Sequence, residues 1–180
     1  NQKEKFGCSE EAYNLILRQP NSALNSDIIF SYILMLPYLG YENGLARMRE
    51  IEIEVSDQYI LMQIEIRKLY FLYRMNRISD IDFTSIEEKI DPRAYTKTQL
   101  NQLESQLANV KESILLSNEE FDELEVFLKN RVYYQKWSGS VYDNVQNQLG
   151  RMYRKMGLYE KALKAFNADL TISKANNLPY

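Results

Sequence analysis

The sequence predicts an all-α protein built from antiparallel helix pairs, and three observations carry that expectation. Apolar residues recur at spacings of three and four along most of the chain, which is the helical period. Glycine and proline are sparse, six and four in 180 residues, and fall mainly between the periodic stretches. Alternating apolar and polar residues, the mark of a half-buried strand, occur only locally, at Ile51-Glu52-Ile53-Glu54-Val55.

The pattern parses into nine helices near 9–18, 24–37, 42–54, 57–75, 82–90, 93–116, 118–136, 140–156 and 158–176. Connections this short make consecutive helices antiparallel. In the second helix the run from Ile28 to Leu36 is the most membrane-like stretch, yet Pro37 closes it after nine residues. A bilayer span needs about 20, so the run reads as a buried helix. The helix at 57–75 is apolar nearly all round (Tyr59, Ile60, Leu61, Met62, Ile64, Ile66, Leu69, Tyr70, Phe71, Leu72, Tyr73 and Met75) and must be covered on more than one side. Asp80-Ile81-Asp82 has the alternating acids of a calcium loop but neither the turn glycine nor the closing glutamate. Acids at a helix start explain it better.

Leu100, Leu103, Leu107, Val110 and Ile114 form one apolar stripe on the helix at 93–116. Ser117-Asn118-Glu119-Glu120 then reads as a capping box for the next helix, whose stripe is Phe121, Leu124, Phe127, Leu128 and Val132. On the helix at 140–156 the stripe is Tyr142, Val145, Leu149, Met152 and Met156.

Composition excludes several function classes. Lys and Arg total 22 against 25 acids, a net charge of −3, which argues against broad binding of nucleic-acid phosphates. There is no histidine, and Cys8 is the single cysteine. Imidazole acid–base catalysis, Cys–His nucleophile pairs, thiolate zinc sites and internal disulfides are thereby excluded. The pairs Glu119/Glu120 and Glu87/Glu88 point in different directions on a helix and do not converge for acid–base work. Tyr133-Tyr134-Gln135-Lys136-Trp137 is an aromatic–basic cluster that could stack on bases or grip a partner; packing at a helix end explains it more cheaply. Cys8 reads as an ordinary free thiol, which fits a reducing, cytoplasmic compartment. The opening Asn1-Gln2-Lys3-Glu4-Lys5 carries no apolar signal core and reads as a trimmed start. Residues 1–180 are expected to form a single domain, a piece of a longer chain.

Leu149, Gly150, Tyr153, Gly157, Tyr159, Ala162 and Phe166 resemble the tetratricopeptide repeat in identity and spacing. Gly150 and Ala162 would let two helices approach, while Leu149, Tyr153 and Phe166 fill the groove beside the crossing. Gly157 would end the first helix, and Tyr159 would wedge the turn. The stretch departs from the family at Gln146, where a tryptophan is expected, at Asp169, where a small residue is common, and in a second helix running on to about Asn176 without a closing proline. Lengthened second helices resemble repeat domains of bacterial sensors and regulators. A fainter copy, Tyr41-Glu42-Asn43-Gly44-Leu45 with Met48, aligns with Tyr159-Glu160-Lys161-Ala162-Leu163 and Phe166; the helix from Asp27 to Pro37 would be its first partner.

The resemblance implies a tetratricopeptide-like α-solenoid and a non-catalytic module that binds a protein or peptide, the ligand-sensing part of a bacterial signalling or transcriptional regulator. The partner-binding face would be Asn144, Asn147, Gln148, Arg151, Arg154 and Lys155, opposite the apolar stripe. Amides there can pair with a peptide backbone, and cations can meet a carboxylate. No catalytic residue, metal, cofactor, membrane span or direct nucleic-acid contact is expected. The alternatives are a structural scaffold or oligomerisation segment, since uncovered end repeats favour self-association, and a helical enzyme using Asp, Glu, Lys, Tyr or Ser.

Overall fold

The computed structural model of the chain describes residues 2–18, 25–138 and 145–175, and among these there is no strand. The described residues form nine α-helices in order: α1 (Gln2–Arg18), α2 (Asn25–Met35), α3 (Tyr41–Glu54), α4 (Gln58–Arg74), α5 (Phe83–Lys89), α6 (Lys97–Ser117), α7 (Phe121–Ser138), α8 (Val145–Lys155) and α9 (Tyr159–Ala175). The all-α expectation holds, and the helices fall close to the predicted stretches except the first, which begins at Gln2 rather than near residue 9.

Helix starts are set by short polar side chains that satisfy free backbone N–H groups. Asp57 accepts from the N–H groups of Tyr59 and Ile60 at 2.8 and 3.2 Å and opens α4. Asp82 accepts from Ser85 N–H at 3.0 Å and opens α5, so this acid serves a helix start. A reciprocal capping box opens α6: Gln99 N–H donates to Thr96 Oγ1 at 3.3 Å, while Thr96 N–H donates to Gln99 Oε1 at 2.9 Å.

The box predicted at Ser117–Glu120 is not a helix start. Ser117 is the last residue of α6, and α7 begins at Phe121. Glu119 turns into the left-handed region at φ 62°, and Glu120 N–H reaches back to the Leu115 carbonyl at 3.0 Å. This is a Schellman ending. The same form closes α4, with Asn76 at φ 58° and Arg77 N–H on the Leu72 carbonyl at 2.9 Å. It also closes α8, with Gly157 at φ 75° and Leu158 N–H on the Tyr153 carbonyl at 2.8 Å. The predicted role of Gly157 is therefore met.

Two compact units divide the chain, residues 1–106 and 107–180, with the boundary inside α6. In the first, α1 packs along α2 and α3 along α4, and α2 also touches α4. The apolar circumference of α4 is thus covered from two sides, as its composition requires. Tyr13, Ile29, Tyr32, Ile33, Leu36, Leu45, Met48, Ile51, Ile60, Ile64 and Phe71 form one buried cluster. Tyr13 stacks on Tyr32 at 4.7 Å, and the Arg47 guanidinium lies over both rings. Burial, and then the bond its hydroxyl donates to Glu54, push the Tyr13 hydroxyl well above the ordinary tyrosine value.

Gly44 sets the spacing of α3 and α4. A Cβ on it would collide with the Phe71 ring and stand 3.1 Å from the Leu36 carbonyl oxygen. Phe71 meets Tyr41 edge to face, centroids 5.2 Å apart. The early copy of the repeat therefore pairs differently from the expectation. Its small residue receives a ring from the following helix, α4, and a 3-10 turn over Leu36–Leu39, with Pro37 at its start, separates α2 from α3.

In the second unit α8 packs against both α7 and α9. Leu115, Leu124, Leu128, Val145, Leu149, Met152 and Ala165 form the buried cluster. The Tyr153 hydroxyl donates to Glu125 of α7 at 2.8 Å; burial, and then this bond, push it up to about 12.

Candidate functional site

The α8–α9 hairpin carries the predicted binding face, and its geometry starts at Gly150. The ring of Phe166 lies so close that a Cβ on Gly150 would stand 2.5 Å from Cε1. Ala162 and Ala165 are buried. Small residues therefore let α8 and α9 nest, as their spacing predicts. Tyr159 does not wedge the turn: it is 71% exposed, since α9 begins at this residue and directs the ring outward.

Of the six predicted face residues, Asn144 lies outside the described residues. Asn147 is turned toward α9, its amide donating to Asp169 at 3.4 Å. Asp169, a departure from the repeat pattern, thereby has a role inside the hairpin. Lys155 donates to the Leu116 carbonyl at 2.8 Å, pairs with Glu119 at 3.4 Å and lies 5.9 Å from the Phe121 ring centroid, so it ties α8 to the end of α6. Gln148 accepts from Arg151 at 2.8 Å one turn along the same face. Arg151 and Arg154 are exposed. The structure thus leaves Arg151 and Arg154 exposed with half-buried Gln148 beside them, and gives Asn147 and Lys155 partners within the unit.

On α9, Tyr159, Leu163 and Leu170 are exposed large apolar side chains at spacings of four and seven, one stripe of the helix. The side chains of the Tyr133–Trp137 cluster lie outside the described residues. Cys8 is exposed on α1. Among the described residues no group of three or more His, Cys, Asp or Glu is placed to hold a metal ion.

Two constellations escaped the sequence reading. Lys68 of α4 pairs with Glu52 of α3 and, at 2.9 Å, with Glu65, which also lies 3.9 Å from Lys89. Burial, with a bond to Glu65, raises the Glu52 carboxyl above the ordinary range. Burial pulls Glu65 upward too, but the bonds from Glu52 and Lys68 outweigh it and hold Glu65 low. Of the two, Glu52 holds a proton to the higher pH, and its protonated form stabilises the fold below the ordinary glutamate pKa of about 4.3, a contribution lost as pH rises through its own raised value. In the variant Glu52→Gln the amide keeps both bonds without ionising. Its stability relative to the parent is expected to increase between pH 4 and pH 7 in urea melts; a constant or falling difference would refute the protonated assignment. The signal in sequence was Glu65-x-x-Lys68, but the partner from α3 was not readable.

The second constellation is a row on α4: Tyr59, Gln63, Arg67, Tyr70 and Arg74, each three or four residues from the last. Gln63 is 2% exposed, and its amide donates to the Tyr59 hydroxyl at 2.9 Å. Its Oε1 and the Nε of Arg67 are buried and have no hydrogen-bond partner. Arg67 lies over Tyr70 and Phe71, 4.8 and 5.8 Å from the ring centroids, and burial holds its guanidinium below the ordinary value. Arg74 donates to the Tyr70 hydroxyl at 2.7 Å and lies over Tyr41 at 5.2 Å.

Comparison with protein-family models, with curated proteins and with solved structures finds no match for the chain.

Proposed function

We propose that the chain is a non-catalytic, tetratricopeptide-like helical module that binds a protein or peptide, as the ligand-sensing part of a bacterial signalling or transcriptional regulator. The observation that carries the reading is the α8 face. Arg151 and Arg154 stand toward solvent, with half-buried Gln148 beside them, on a helix whose opposite side is buried and whose crossing with α9 is set by Gly150 and Phe166. A rigid helix presenting amide and guanidinium groups suits a peptide's carbonyls and carboxylates. Binding would act by population shift, a ligand favouring one packing of the helix pairs over another. Among the described residues no helix is long and apolar enough to cross a membrane. A cytoplasmic setting belongs to this reading, and the exposed single thiol of Cys8 supports it.

Panning a displayed random-peptide library against the protein tests the proposal. Enrichment of related sequences whose synthetic peptides bind saturably is expected. Recovery of unrelated sequences with no saturable binder would overturn it.

The second reading, a scaffold or oligomerisation segment, is favoured by Tyr159, Leu163 and Leu170, three exposed large apolar side chains on one stripe of α9. Under that reading, light scattering finds a mass that rises with concentration in the parent and stays at the monomer value in Leu163→Glu. A parent that remains monomeric throughout removes it.

A further inference from the structure

We propose that the Arg67–Tyr70–Arg74 row of α4 is an anion-recognition surface for an acidic peptide segment, a second contact region that rests on the peptide-binding reading and specifies its chemistry.

Several other cations of this unit have carboxylate partners. Arg47 pairs with Glu50, Lys68 with Glu52 and Glu65, Arg77 with Asp80 and Glu42, and Arg93 with Asp91. Arg67 and Arg74 have none among the described residues; what surrounds them is aromatic. Tyr70 stands between them, Phe71 backs Arg67, and Tyr41 backs Arg74. A guanidinium held by its face against a ring keeps its outer in-plane N–H groups for a carboxylate; on Arg67 these are the ones beyond the buried Nε, and on Arg74 those beyond the one given to Tyr70. The Arg74–Tyr70 bond fixes the second fork relative to the first.

Burying the Arg67 Nε–H and the Gln63 Oε1 without partners is unfavourable, and a fold that keeps both one turn apart holds this guanidinium in place against that penalty. An incoming carboxylate would offset the missing counter-charge. Seven residues separate the two arginines, about 10 Å along the helix. Carboxylates three residues apart on a polyproline II segment, which has three residues per turn, share one face and span about 9 Å. Nucleic acid fits less well, because the chain carries net charge −3 and the row offers only two cations.

The test uses fluorescence anisotropy with the intact chain and a labelled proline-rich, polyproline II peptide bearing glutamates at every third position. Three comparisons accompany it: the same peptide with glutamine for glutamate, a single-stranded RNA oligonucleotide, and inorganic phosphate as competitor. The glutamate peptide is expected to bind saturably and the glutamine peptide about tenfold more weakly. Arg67→Lys and Arg74→Lys, which keep the charge but lose the fork, are each expected to weaken binding about tenfold while thermal melting is retained. Because Arg74 is exposed and the peptide pair needs no protein variant, the inference stays testable even if Arg67→Lys folds poorly. Equal binding of the glutamate and glutamine peptides, tighter binding of RNA, displacement by phosphate at equal concentration, or insensitivity to Arg74→Lys would each overturn it. Those failures leave the α8 face untouched, whereas library selection without any saturable binder removes the broader reading as well.

Discussion

Replacing Phe71 by alanine is expected to cost the first unit about 3–5 kcal/mol, the range for deleting a fully buried aromatic ring. The ring is wholly inaccessible, backs Arg67, meets Tyr41 edge to face and fills the notch that Gly44 leaves on α3. A loss of this size is a large part of the about 5–15 kcal/mol that holds a domain folded, so urea unfolding followed by circular dichroism should shift strongly. The notch supplies a second, sharper arm. In the parent, Gly44→Ala gains about 1 kcal/mol of helix propensity but drives a methyl group into the ring, an overpacking that costs about 1–3 kcal/mol. Once Phe71 is alanine the obstruction is gone, and the same Gly44→Ala change should become stabilising. That reversal of sign is the expected result. Gly44→Ala stabilising the parent as well would mean that the ring does not occupy the notch.

At the other glycine, Gly150→Val is expected to destabilise the second unit by about 2–3 kcal/mol. The added side chain would enter the space of the Phe166 ring and force α8 from α9. Phe166 is only partly buried, so its ring has room to swing outward, and the smaller change Gly150→Ala should be near neutral as propensity offsets the clash. Thermal melts monitored by circular dichroism should place alanine close to the parent and valine well below it. Equal melting of parent and valine variant would contradict a tight crossing.

Both glycines were legible in the sequence, for a reason that applies generally: a small residue followed at helical spacing by a bulky one describes a contact between neighbouring helices. What it does not describe is which neighbour. Gly150 receives its ring from the predicted helix, whereas Gly44 receives Phe71 from the helix after it. The near-continuous apolarity of α4 was read correctly as burial from two sides, but Gln63 and Arg67 look like ordinary polar positions in that helix. Their burial depends on how α2 and α3 lie against it, which no local pattern encodes. Ser117-Asn118-Glu119-Glu120 misled for a related reason. The residues of a capping box also suit a helix end, and only the left-handed backbone at Glu119 decides between them. Lys155 belongs to the predicted face by periodicity, yet its ammonium is taken by the Leu116 carbonyl, a partner 39 residues away in sequence.

Calorimetric titration of a library-selected peptide into the parent and into the double variant Arg151→Glu/Arg154→Glu tests the α8 recognition face most directly. Both side chains are exposed and their reversal spares the core. The account predicts one binding site per parent chain and an affinity weakened about tenfold or more in the variant, equivalent to roughly 1.4 kcal/mol. Equal affinities, with both proteins folded, would contradict it.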